Sequence, residues 1–304
     1  MPLRHDIRRG ALFMLGACAL FTLMSSLVKS LGDRIPFLEQ MFFRTALAMP
    51  VVLVIVLRIT GGHGVAGVLR TKRFPGHLMR ACTGTMAMGC SFYALTLLPL
   101  AEHTALTNTT PIFATLLAIP LLGERVGIHR SAAVLVGFAG ILVIAVSQGA
   151  FSAGLSGTGT TGLIAAVLHG VFSAGTTLLV RSLSATESST TIVMWQSLLM
   201  TGIIATTLPF VWVAPGWHDL MILLMIGVLG GVAQVMMTEA WSSAQVSALA
   251  PYSYSSLLWA ILFGWIGFGD VPGLATLAGA ALIVAASLYI LHREIVVARR
   301  RVRE

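Results

Sequence analysis

Two short stretches gather hydrogen-bonding side chains where almost nothing else is polar: TNTTP at 107–111 and PYSYSS at 251–256. Asn108 brings an amide and Thr109 a hydroxyl, while Tyr252 and Tyr254 add flat aromatic faces with phenolic tips. Gln40 and Gln196 occupy matching places in two other apolar runs, with Trp195 beside the second and Trp259 further along the chain. Amides and indoles suit a ring-bearing polar solute, held by hydrogen bonds and stacking. The same groups also serve as hydrogen bonds between helices, and the two tryptophans as ordinary packing or lipid-facing residues. This is the chemistry of recognition, and it supplies no nucleophile paired with a base.

Arg44 is the one full charge well inside an apolar run. It could grip a carboxylate or phosphate on a solute. It could instead snorkel to Glu39 or to helix carbonyls, and that structural role is the preferred reading because the depth allows it. Glu39, Glu102, Glu239 and Asp270 all stand near run ends, so no carboxylate is available at mid-depth as a proton relay. His103 and His169 remain, and His169 can titrate near neutral pH. Facilitated diffusion and exchange therefore stay open beside proton coupling.

Several other signals carry no chemistry. GTGTTG at 157–162 fits a dinucleotide-binding pattern but has no strand before it. The sequon at Asn108 lies within an apolar run. No HExxH and no paired intramembrane carboxylates occur, so neither an enzyme nor a metal or other cofactor is expected. Cys18, Cys82 and Cys90 all fall in apolar runs and imply no disulfide framework. Gly227 and Gly231, with Gly230 between them, read as close helix packing in lipid.

The elements that must position these residues are membrane helices. Charged residues make up 10% of the chain and mean hydropathy is +0.91, against about 25% charged in a soluble domain. Apolar runs recur at 10–30, 37–57, 77–97, 101–122, 128–147, 162–180, 190–212, 219–238, 246–268 and 274–292. Each approaches the ~20 residues that cross a ~30 Å hydrocarbon core as helix. The first run is too long and too evenly apolar for a cleaved signal, and it is expected to stay as a span. The net charge of +8 does not indicate nucleic acid, because the cations sit between the runs rather than along a face.

With the N-terminus cytoplasmic and every run spanning, 16 of the 19 Lys and Arg residues fall on the inner side. Lys29 and Arg34 fall outside. Five spans per half then make the second half enter from the opposite face. Internal repetition agrees: SLVKSL (26–31) returns as LLVRSL (178–183), LPLAEHTAL (98–106) as WSSAQVSAL (241–249), and LLGERV (121–126) as GFGDVP (267–272). Inverted repeats of this kind build secondary transporters, whose sites lie at mid-membrane on proline-interrupted helices. By helical rise Asn108 and Tyr254 are roughly 10–15 Å from their entry faces, and they are expected to line one cavity.

PIFATLLAIPLLGERVG (111–127) with AVLVGFAGILVI (133–144) resembles the first repeat of the EamA-type drug/metabolite transporter superfamily. APYSYSSLLWAILFGWIGFGDVP (250–272) with LAGAALIVAASLYIL (277–291) resembles the second. The likeness is to the branch containing riboflavin and S-adenosylmethionine uptake carriers, with amino-acid exporters as more distant relatives. It implies a ten-helix carrier in a bacterial inner membrane. Asp270 stands where the family usually has glutamate, and Pro251 sits earlier in its repeat than Pro111 does.

The expected fold is therefore all-α and integral to the membrane, ten transmembrane helices as two inverted five-helix repeats. The repeats are 1–147 and 162–293, joined by an external linker at 148–161 and followed by a basic cytoplasmic tail at 294–304. The expected partners are a small-molecule metabolite and membrane lipid, with no nucleic acid; the oligomeric state is left open, a homodimer included. The competing readings are a membrane-embedded enzyme or lipid-handling protein, for which a catalytic cluster at an interface is missing, and a structural subunit. The substrate and the direction of transport are not legible.

Overall fold

Helix is the only regular structure among the described residues, 7–60, 69–122, 128–147, 157–184, 186–187, 189–243, 249 and 252–303, of this computed structural model. A chain this apolar has no water to satisfy its peptide groups, so each segment must bond them within itself. The helices are α1 (Ile7–Leu31), α2 (Phe37–Thr60), α3 (Phe74–Leu97), α4 (Leu100–Thr107), α5 (Thr110–Leu122), α6 (Ile128–Ser147), α7 (Thr158–Ser184), α8 (Ser189–Ala205), α9 (Leu208–Val211), α10 (Trp217–Ser243), α11 (Ser255–Phe268) and α12 (Leu274–Arg303). Within α1, α7, α10 and α12, the stretches Arg8–Leu31, Gly159–Val180, Trp217–Met237 and Leu274–His292 are long and apolar enough to cross a membrane. Ser131–Ser147, Thr191–Ala205 and Ser255–Phe268 form shorter apolar helices. Glu124, Arg125, Pro251 and residues 148–156, which entered the sequence argument, lie outside the described residues.

The run expected at 101–122 is broken. Pro111 has no N–H to give, so the carbonyl of Thr107 loses its helical donor. The Thr110 hydroxyl takes over that carbonyl at 3.1 Å. One residue earlier, Thr109 gives both its hydroxyl (2.6 Å) and its backbone N–H (3.1 Å) to Leu106 O. The TNTTP stretch thus supplies its own caps for the interruption between α4 and α5. The corresponding stretch in the second half is interrupted too, with helical residues at 252–253, a turn at Tyr254, and α11 starting at Ser255. Here Cys18 of α1 approaches the carbonyl of Ser253 with its thiol at 3.4 Å.

Packing is extensive between α1 and α10, between α3 and α7, and between α6 and α12. α10 also packs on α2, α8 on α3, α11 on α1, α5 on α7, α2 on α8, and α4 on α11. Glycine permits the closest of these approaches. A Cβ on Gly140 of α6 would lie 2.7 Å from the carbonyl of Gly279 on α12, and a Cβ on Gly279 would lie equally close to Gly140 O. Backbone meets backbone there, and no larger residue fits at either position. Leu12, Phe210, Leu258, Ile266 and Leu274 point outward. Such a surface is costly in water and at home in lipid.

Candidate functional site

Arg44, Thr45 and Ala48 of α2 face Val193, Gln196, Ser197 and Met200 of α8 and Gly230 and Gln234 of α10 across a cavity of about 60 Å³. That is room for a few waters or one small polar group, since a single water needs ~10–15 Å³. The Arg44 side chain turns into this space. Its Nη1 donates to Met88 Sδ of α3 at 3.1 Å, a weak acceptor, and Phe21 of α1 presents its ring 6.0 Å from the guanidinium carbon. Its Nε is sealed from solvent without a partner. The glycine at 230 makes the room, for a Cβ there would come within 3.4 Å of Arg44 Cγ.

Arg44 does not snorkel to Glu39. The Glu39 carboxylate instead accepts the backbone N–H of Val213 at 3.0 Å and is fully buried. Gln40, also fully buried, donates to Ile35 O at 2.8 Å and takes no part in the cavity wall. Gln196 does line the cavity, and its amide leans on Met200 Sδ at 3.5 Å. Its neighbour Trp195 points elsewhere. The indole donates to Leu69 O at 3.2 Å and stacks at 6.0 Å on His77 of α3, with Phe74 edge-on at 5.4 Å.

Asn108 and Tyr254 converge on one residue of α12. The Ser287 hydroxyl donates to Asn108 O at 3.3 Å, and the Tyr254 hydroxyl is within hydrogen-bonding reach of Ser287. The Asn108 amide nitrogen is buried with no partner. Thr109 is fully buried against α7, where a Cβ on Gly170 would come within 2.6 Å of its hydroxyl. Tyr252 is exposed, and Trp259 packs among Met14 and Cys18 with its indole N–H unpartnered.

The two histidines dock one helical turn apart on α3. His169 of α7 meets Ala87 O through Nδ1 at 2.8 Å, and a carbonyl only accepts, so Nδ1 carries the proton. His103 of α4 meets the Ser91 hydroxyl through Nε2 at 2.9 Å.

Sequence reasoning missed four contributors. Gln234 is a lone amide in an otherwise apolar stretch, GVAQVMM, and that contrast was its signal. Ser197 and Ser287 carried none. Arg80, grouped with the inner cations, lies inside α3 at 7% exposure, with Nε and Nη1 buried and unpartnered. Among the described residues no cluster of His, Cys, Asp and Glu could hold a metal ion.

The model of the EamA-like transporter family matches residues 8–146 and 160–292. The pseudopaline exporter CntI of Pseudomonas aeruginosa (strain UCBPP-PA14) is 30% identical over 286 residues, spanning 93% of this chain and 95% of that protein. The riboflavin transporter of Vibrio cholerae serotype O1 is 30% identical over 305 residues, 99% of this chain and 98% of its own. An S-adenosylmethionine uptake transporter of Rickettsia felis is 25% identical over 88% of this chain and 86% of that one. A solved crystal structure shares the fold at a TM-score of 0.63 and 18% identity, over 92% of this chain and 96% of that one. The protein is a multi-pass membrane transporter for small molecules and not an enzyme. The chain belongs to the EamA-like transporter family.

Proposed function

We propose that this chain is a secondary transporter that moves a small, polar, ring-bearing metabolite across a bacterial inner membrane by alternating access. In this reading it has ten spans in two inverted repeats, 1–147 and 162–293, with 148–161 outside and both termini, including the tail 294–304, cytoplasmic. Riboflavin and S-adenosylmethionine are candidate cargoes by the names of the relatives, and amino-acid-like solutes by the resemblance to the wider superfamily. The observation that carries the reading is the packing pattern. Exchanging each span for the one five positions later turns the α1–α10 contact into the α7–α3 contact, and leaves α6–α12 and α2–α8 unchanged. Two half-proteins related in that way can rock against each other about a fixed site. The paired interruptions at Asn108 and Tyr254 agree with it, because broken spans in corresponding positions expose polar backbone at mid-depth.

The test uses Ser30 and Ser182, which hold the same place in SLVKSL and LLVRSL and are both exposed. In a background lacking Cys18, Cys82 and Cys90, Ser30→Cys should react with an impermeant maleimide from the periplasmic side and Ser182→Cys only from the cytoplasmic side. Reaction of both from one side would remove the inverted repeat.

A further inference from the structure

Among the described residues two guanidinium groups, Arg44 partly buried and Arg80 buried, have no carboxylate partner. Arg44 has a thioether and an aromatic face for company, and Arg80 has two buried nitrogens with no acceptor. Six acids each have a partner other than these two arginines, while one oxygen of Glu39 stays buried without a partner. Glu39 takes the Val213 N–H and Glu102 takes the Thr276 hydroxyl. Glu187 takes the Thr71 hydroxyl, Asp219 pairs with Arg34, Asp270 with Lys29, and Glu239 with Arg9. A buried cation without a counter-ion is costly to keep, and a cost retained in an otherwise well-packed protein points to a counter-ion that arrives from outside.

The two arginines share a surface. Arg80, Gly84 and Met88 recur every four residues along one stripe of α3. Met88 meets Arg44, and Gly84 meets Met200, whose side chain also lines the Arg44 cavity. Eight residues of helix separate Arg80 from Met88, about 12 Å along the axis. Around Arg44 itself Gln196 and Gln234 line the cavity, and the Gln196 amide rests on a sulfur that holds it weakly.

We propose that the cavity between α2, α8 and α10 is an anion subsite, and that the transported solute is a carboxylate-bearing metabolite whose carboxylate is the missing partner of Arg44. The proposal rests on the transporter reading and narrows its substrate class. One guanidinium in a space this small balances a single negative charge and matches a planar carboxylate with two parallel hydrogen bonds. A phosphate dianion would need further donors. Arg80, about 12 Å from Met88 along α3, does not line this cavity. Riboflavin has no carboxylate and would leave Arg44 as it is, so amino-acid-like solutes rank above it.

The test is equilibrium binding to the purified full chain in lipid nanodiscs, probing acids against their amides. The probes are phenylalanine with phenylalaninamide, glutarate with glutaramide, S-adenosylmethionine, inorganic phosphate and riboflavin. At least one carboxylate should bind about tenfold or more tightly than its amide, the size expected for a hydrogen bond to a charged group. Arg44→Gln should erase that preference by weakening the acid while leaving the amide unchanged, and Arg44→Lys should keep part of it. Without solute, Arg44→Gln should melt no lower than the parent, because an uncompensated charge has been removed; a packing role predicts the opposite. Equal binding of acid and amide, binding of only phosphate or riboflavin, or binding indifferent to Arg44→Gln would overturn the proposal. Failure of reconstituted protein to move any bound probe across liposomes would instead sink the transporter reading and leave the subsite standing.

Discussion

Gly227 and Gly230 lie one turn apart on α10, and the structure sets opposite consequences for the same substitution. A Cβ on Gly227 collides with the Cβ of Leu47 on α2 and lies 2.6 Å from Leu47 Cδ1. The Leu47 Cβ is fixed to its backbone, so α2 and α10 must move apart. Overpacking of this kind costs about 1–3 kcal/mol, or about 5- to 150-fold in the folding equilibrium. A Cβ on Gly230 meets only flexible chain: Met24 Sδ at 3.1 Å, Arg44 Cγ at 3.4 Å and Arg44 Nε at 3.7 Å. Those groups can yield, so Gly230→Ala should cost under about 1 kcal/mol in stability while displacing the guanidinium from its cavity. Equilibrium unfolding in mixed micelles, run beside solute binding on folded protein, separates the two. Gly227→Ala should lose stability and keep affinity per folded molecule, and Leu47→Ala should partly rescue it. Gly230→Ala should do the reverse. Equal destabilisation by both, or an unaltered affinity in Gly230→Ala, would refute the reasoning that one glycine serves packing and the other the cavity.

Ser287→Ala removes the hydroxyl shared by Asn108 and Tyr254 and should lower stability by about 0.5–1.5 kcal/mol; a double-mutant cycle with Tyr254→Phe should be non-additive, and strict additivity would disprove the shared contact. Lys29 and Asp270 approach to 2.7 Å with both side chains partly exposed, so Lys29→Gln should cost no more than about 1 kcal/mol, and the charge-swapped double variant should recover most of it in thermal melts. Pro111→Ala restores a donor for Thr107 O, and the account expects a more stable protein whose solute counterflow in liposomes is slower; a faster variant would contradict a role for the break. Because the sequence puts no acidic residue in the middle of an apolar run, a pH gradient should drive little transport in His169→Gln, and strong undiminished coupling in that variant would mean that the relay lies elsewhere.

Much of the architecture was legible because lipid imposes simple rules. Long apolar runs must be helices, and Pro111 after four hydroxyl or amide side chains marked the interruption before α5. Asn108 and Tyr254 were expected to line one cavity; both reach Ser287, and neither lines the cavity at Arg44. What stayed hidden depends on contacts between elements far apart in the chain. Glu39 next to Arg44 on one helix suggested an ion pair, but the carboxylate is taken by the N–H of Val213, 174 residues away. Lys29 was read as a cation on the outer side, while its partner Asp270 is 241 residues distant. Arg80 was counted at the edge of a run starting at 77, but α3 begins at Phe74 with Pro75 in its first turn, which carries Arg80 deeper into the helix. Trp195, read as either a stacking partner for solute or a packing residue, stacks on His77, a contact between distant parts of the chain.

Alternating access is the central claim, and Ser197 on the cavity wall tests it most directly. With Ser197→Cys in a cysteine-free background, reactivity toward a small impermeant thiol reagent is measured in right-side-out and in inside-out vesicles. Modification from both sides is expected, and a transported solute should change the two rates in opposite directions. Modification from one side only, under every condition and with every solute that binds, would contradict it.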